Sequence, residues 1–369
     1  MFVGPLPLLG RRTSEIFVAA AVVVALLRRP RFALGGSALL VPLFAVMLLY
    51  LGTISLFAVP EDGAADWRLR LLRIAAVTVL IFVTASGRLD LRSGVIGIAA
   101  VCVINIPLFY AGLVSDTYGG YLTGVFGDKN YAGLTYAMVA VLATAVVERR
   151  WTKVAVFLAF AGPLWLTGSR TSSAAYLLAG LWMLLAPYLG LAARIVLGVL
   201  SYIAVEVTAE DYSRVGVFSD RLGSDLLRAR IDAASRIKVE ETDFFGRGLG
   251  TAFVRIEDRS WFFHNSYWSA LVEGGWPWAV FLVAVTVAVL LLPHRDPRLA
   301  PLRVSAGLGI VALVTATRLG EVFYTLPWAL AIAFGIQALA RAHHDPGERE
   351  PRERARHLGR YRPTASQRP

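Results

Sequence analysis

Long runs of Val, Ala, Leu, Ile and Phe follow one another along most of the chain, separated by short polar connections. The runs do not alternate apolar and polar residues as barrel strands would. They predict helices that cross a bilayer, because in lipid a helix satisfies its own backbone polar groups. In order, the spans are expected at about 14–27, 37–59, 71–86, 94–115, 131–147, 154–168, 174–190, 194–208, 265–292, 304–317 and 325–340. The expected fold class is therefore all-α: a polytopic transmembrane helical bundle of about 11 spans with one long extracytoplasmic loop, residues 208–264. The transmembrane domain takes in 1–340. Residues 341–369, rich in Arg, Glu and Pro, are expected to form a disordered cytoplasmic tail.

Charge orients this pattern. Basic residues gather at 28–31, 87–92, 148–153, 293–303 and in the tail, and alternation of the spans puts all five segments on one side. By the positive-inside rule that side is cytoplasmic. The outer side then receives 60–67, 116–130, 167–173, the long loop and 317–324. An odd number of spans leaves the N-terminus outside with Arg11 and Arg12, so one further N-terminal helix is expected to be lacking. No cleavable signal peptide is expected at the start.

Composition agrees: 56% of residues are hydrophobic, and the net charge of +11 belongs to the connections and tail. It calls for no nucleic acid partner. The single cysteine, Cys102, excludes an intrachain disulfide and a cysteine-rich metal site.

Candidate chemistry lies on the outer side. His264 stands where the long loop runs into a span, beside Asn265 and Ser266, which can cap that helix. Imidazole accepts a proton from a hydroxyl near neutral pH, although a lone histidine also serves as a structural hydrogen-bonding group. Glu273, two turns further on, needs a cationic partner or a site to justify its place in an apolar run. Arg170 follows Ser169 and precedes Thr171, Ser172 and Ser173. A guanidinium framed by hydroxyls suits a phosphate or pyrophosphate, while an arginine at a span end can also snorkel to the interface.

Lys129 and Asn130 begin another span after Asp128. Lys129 can meet a phosphate, and Asn130 can cap the helix. Within the long loop, Leu222, Leu226, Ala229, Ala233 and Ile237 recur at helical spacing, with Arg228, Asp232 and Arg236 on the other face. That is an amphipathic helix able to lie on a membrane surface. Arg228 and Arg236 could add a second cationic wall. Glu321 is expected to pair with Arg318. Sequences for Walker, zinc-protease and serine-hydrolase sites are lacking. The reaction expected is metal-independent, and no cofactor is called for.

Four stretches occur in order: GVFGDKNYAGL at 124–134, LTGSRTSSAA at 166–175, LLRARIDAASRI with DFFGRGLG at 226–250, and HNSYWSALVEGG at 264–275. Together they resemble the bacterial O-antigen ligase and polysaccharide polymerase family over roughly 120–280. The resemblance implies a type C glycosyltransferase fold that transfers a glycan from a polyprenyl-pyrophosphate carrier to a hydroxyl acceptor. The acceptor is carried on lipid, protein or glycan. On that resemblance Arg170 matches the family's phosphate-binding arginine, Arg228 the arginine before the Gly-rich turn and His264 the loop histidine. The mechanism expected from these residues makes His264 the catalytic base, with Arg170 and Arg228, and Lys129 or Arg236, binding the pyrophosphate. Asn130, Ser169, Asn265 and Glu273 support the site. Three departures stand out: Asp232 where an aromatic is usual, Asp243 where a proline is usual, and Pro277–Trp278 in place of a Gly-rich stretch. Ligase and polymerase differ only in acceptor, and a flippase for a lipid-linked sugar is the rival from another class.

Overall fold

The structure, a computed structural model, describes residues 13–190, 192–193, 196–199, 222–291 and 300–343. It is mostly helical. The helices are α1 (Thr13–Leu26), α2 (Leu40–Phe57), α3 (Trp67–Ala85), α4 (Leu91–Tyr110), α5 (Lys129–Val146), α6 (Arg150–Leu166) and α7 (Arg170–Leu185). They continue with α8 (Leu222–Glu240), α9 (Ser266–Thr286, prolonged by a π turn over Val287–Leu291), α10 (Ala300–Thr315) and α11 (Leu326–His343). Each predicted apolar run falls on a helix except 194–208, most of which lies outside the described residues, as do residues 1–12 and the tail from 344. Among the described residues, three helices are long and apolar enough to cross a membrane: Gly35–Phe57, Leu91–Tyr110 and Ser266–Leu291. Pro301–Ala316 and Leu326–Ala340 are shorter apolar helices.

The all-α expectation needs one addition. After α8 the loop forms a small antiparallel hairpin, β1 (Phe253–Ile256) and β2 (Arg259–Phe262), with Phe253 opposite Phe262. Glu257 takes a left-handed φ of 56° at its turn. Four-residue strands carry too little alternation to stand out beside long apolar helices.

α5 sits at the centre because it is apolar nearly all round, and such a helix belongs inside a bundle. Leu134, Tyr136, Met138, Val141 and Leu142 are buried against α4, α6, α7, α10 and α11. A glycine permits the closest approach: a Cβ on Gly133 would come 2.5 Å from the Ser169 Cβ at the start of α7.

The bundle has two unlike ends. At one, Arg31 and Phe32 donate backbone N–H groups to Ser86 O, and Arg88 Nη1 donates to Leu26 O. This gathers Arg28, Arg29, Arg31 and Arg88. At the other, the connections expected outside converge. Lys238 meets Glu61, Ala65 N donates to Gly250 O, and Leu122 N donates to Leu166 O. Ser266 N donates to Ala316 O at the same end.

Candidate functional site

The entry to α9 is built from polar groups that fix one another. Asn265 Oδ1 accepts from Tyr267 N and Trp268 N at 2.9 and 3.2 Å, so Asn265 is the N-cap that the sequence suggests. Such a cap stabilises a helix by about 1 kcal/mol. Ser266 does other work: its hydroxyl donates to Leu319 O at 2.6 Å and accepts from Val322 N at 3.0 Å. Ser269 Oγ lies 3.1 Å from Gly320 O. These bonds staple the start of α9 to the segment 316–322. Gly320 lies so close that a Cβ there would collide with Phe263 O and come 3.8 Å from the His264 Cα. His264 is thus held on a short, fixed piece of backbone between β2 and α9.

Its side chain faces α8. His264 Nδ1 lies 3.5 Å from Asp232 Oδ1, within ion-pair reach. One turn earlier, Arg228 Nη2 donates to Arg318 O at 2.8 Å, which ties α8 to the same segment that staples α9. Arg236 is placed elsewhere. It is exposed and pairs with Glu240 at 2.9 Å along its own helix. The reason is geometric: steps of four residues drift by about 40° around a helix of 3.6 residues per turn. Two such steps carry Arg236 out of the line of Arg228 and Asp232. The packed face of α8 is Leu227, Ile231, Ala234 and Val239, against Ala252, Val254, Phe263 and Val272. Leu226, Ala229, Ala233 and Ile237, the apolar row seen in the sequence, point outward.

The start of α5 supplies a second group of residues. Asp128, not Asn130, caps the helix: its Oδ1 accepts from Asn130 N and Tyr131 N at 2.9 and 2.8 Å. Tyr118 OH donates to Asp128 Oδ2 at 2.7 Å, and the Lys129 ammonium lies 5.3 Å from the ring centres of both Tyr118 and Tyr121. Burial and then the Asp128 carboxylate push the Tyr118 phenol above its ordinary range, while Arg228 pulls it the other way. Arg228 is therefore close enough for its charge to reach this cluster. Behind it, buried Asn105 accepts from Val125 N at 2.8 Å and fixes the turn that leads into α5.

Arg170 is the first residue of α7, half-buried, directly above the Gly133 contact with α5. Three of the four hydroxyls expected to frame a ligand around it are committed to the fold. Ser169 Oγ and Ser172 Oγ bond one another at 2.8 Å, both buried, and Ser173 Oγ donates to Ser169 O.

Glu273 has the cation its position demands. Arg70 Nε lies 2.7 Å from Glu273 Oε1, and Gly250 N donates to the same oxygen at 2.9 Å. Arg70 Nη1 also pairs with Glu321 at 2.9 Å, so a cation for Glu321 comes from α3. A small cavity beside this cluster is lined by Arg70, Ser266, Ser269, Glu273, Glu321 and Tyr324, and by neither His264 nor Arg170. Arg70 escaped sequence analysis because it reads as one of several arginines at the start of α3.

Just past Glu273, α9 breaks at Gly275 (φ 65°, ψ −167°). The Gly-rich stretch 244–250 fills the break: Arg247 N and Gly248 N donate to Val272 O and Glu273 O, and Trp276 N donates to Phe244 O. Tyr50 OH on α2 bonds Phe245 O and Gly274 O at 3.0 and 2.9 Å. Irregular backbone beside membrane helices must be paired within the protein, and here it is.

The structure therefore gathers His264, Asp232, Arg228 and the Lys129 cluster around one end of the bundle, with Arg170 opening α7 at that same end. Among the described residues no group of three or more His, Cys, Asp and Glu side chains is placed to hold a metal ion. Compared with protein-family models and with curated proteins, the chain matches none.

Proposed function

We propose that this chain is a membrane glycosyltransferase of the O-antigen ligase kind, with about 11 spans and a type C glycosyltransferase architecture. It moves a glycan from a polyprenyl-pyrophosphate donor to a hydroxyl acceptor on the outer face of the bacterial inner membrane. The reading is supported by the presence of His264, Arg228, Lys129 and Arg170 at the end of the bundle away from the Arg28–Arg31 and Arg88 cluster. An anionic leaving group and a proton to be removed are the two demands of this transfer. The site offers cations for the first and a base for the second.

In the reaction the acceptor oxygen attacks the anomeric carbon as the bond from that carbon to the pyrophosphate oxygen breaks. The bonding pair leaves with the pyrophosphate, and His264 takes the hydroxyl proton. Arg170, Arg228 and Lys129 hold the pyrophosphate as its charge grows. Arg236, salt-bridged along the outer face of α8, is left out of this set.

Purified protein in liposomes, supplied with a polyprenyl-pyrophosphate glycan and a hydroxyl acceptor, tests the reading. His264→Ala should lose about 10²- to 10⁴-fold in turnover, the usual share of a general base. Arg170→Ala should raise the donor KM. Wild-type turnover in the His264 variant removes the base, and an unaltered donor KM removes Arg170 from the site. In a deletion strain, carrier-bound long chains that never reach an anchor indicate a ligase, and single undischarged repeats indicate a polymerase. Donor trapped on the cytoplasmic leaflet indicates a flippase and ends the reading.

A further inference from the structure

Asp232 sits in the middle of α8, at a position where a helix gains nothing from an aspartate. It caps no terminus. Arg228, one turn earlier, spends a guanidinium nitrogen on Arg318 O. Asp232 approaches His264 instead, at 3.5 Å between Oδ1 and Nδ1, with the two side chains 28% and 31% exposed. His264 Nδ1 is itself buried and makes no hydrogen bond. No other hydrogen bond or ion pair of either side chain occurs among the described residues. The separation is longer than a hydrogen bond, and catalytic hydrogen bonds commonly tighten only once substrate is bound.

Both carrying elements are fixed. α8 is held by Arg228 to Arg318 O and by Lys238 to Glu61, and His264 is held by the stapled start of α9. The charged groups around the pair include Arg228 on α8, whose charge reaches the Asp128–Lys129 cluster, and Arg318 and Glu321 on the segment that packs against the His264 backbone. Neither Arg318 nor Glu321 supplies an acceptor for Nδ1 among the described residues.

We propose that Asp232 is the positioning residue of His264. Its carboxylate keeps the ring proton on Nδ1, so the lone pair of Nε2 is left free to accept a proton. When Nε2 receives the proton of the acceptor hydroxyl, the same carboxylate stabilises the imidazolium. The tautomer claim stands on geometry alone, whereas the catalytic claim rests on the proposed transferase activity.

The test uses full-length protein labelled with ¹⁵N-histidine in lipid nanodiscs. The His264 signals are assigned by their loss in His264→Gln. The expected result is an Nδ1-protonated ring in the wild type and a mixture of tautomers in Asp232→Ala. Turnover in Asp232→Ala should fall about 10²-fold or more with donor KM unchanged, as expected when a base loses its orienting carboxylate. Asp232→Glu should restore part of both. Asp232→Asn, which keeps the side chain's size, guards against a folding defect and should also depress turnover. An unchanged tautomer in Asp232→Ala overturns the pairing, and a changed tautomer with wild-type turnover overturns its role in transfer. A wild-type protein that transfers no glycan defeats the proposed function, while the tautomer measurement still decides the pairing.

Discussion

Glu273 shows how much one side chain depends on another. It is buried in α9 and its charge is met by Arg70, which lies on α3. Removing one partner of a buried ion pair leaves an uncompensated charge and costs about 3–5 kcal/mol. Arg70→Ala should therefore lower stability by about that amount in denaturant titration of the detergent-solubilised protein. Adding Glu273→Gln to the same variant should recover most of the loss, because the buried orphaned charge is gone and Glu321, the other partner of Arg70, is half-exposed to solvent. If the double variant is as unstable as the single one, the cost comes from packing around the Arg70 stem and not from charge.

The Gly-rich stretch and the broken helix form one element made of two pieces. Gly275 adopts φ 65°, and a Cβ there would collide with Phe244 O. Gly246, at φ 84°, comes equally close from the other side, its Cβ position 2.4 Å from Gly275 N. Helix propensity alone says that replacing a glycine by alanine within a helix stabilises by about 1 kcal/mol. Backbone at φ 65°, ψ −167° is open essentially to glycine alone and costs an alanine about 1–3 kcal/mol, and the collision adds to that. The second effect wins, so Gly275→Ala should lower the unfolding temperature. A rise would mean that the break closes without consequence. The sequence EGGWP signals a weak point in a helix, but not that residues 244–250 supply the hydrogen bonds the break leaves open.

The short basic connections lie at one end of the bundle and the candidate site at the other, and this makes a prediction about sidedness. Glu257 lies at the hairpin turn near the candidate site, and Glu148 lies in the connection after α5, whose first turn is at the site end. In a Cys102→Ala background, Glu257→Cys should react with a membrane-impermeant thiol reagent on intact cells. Glu148→Cys should react only after permeabilisation. Labelling of both from the same side contradicts the orientation drawn from the basic connections.

Read by itself, the sequence determined where the described membrane helices lie and which end of the bundle collects the short basic connections. It also placed His264 immediately before a helix capped by Asn265. These are local matters: an apolar run long enough for a helix, a cluster of arginines and a capping residue act within a few positions of themselves. The tertiary structure alone decided which polar groups meet. It set Asp232 against His264, Arg70 against Glu273 and Arg228 against Arg318 O, and it turned Arg236 away. It also committed the Ser169 and Ser172 hydroxyls to packing and moved the α5 cap from Asn130 to Asp128. The physical reason is that periodicity says which face of a helix is buried. The partner of a charge is chosen by whichever helix packing brings within a few ångströms, and in lipid every such choice must be filled.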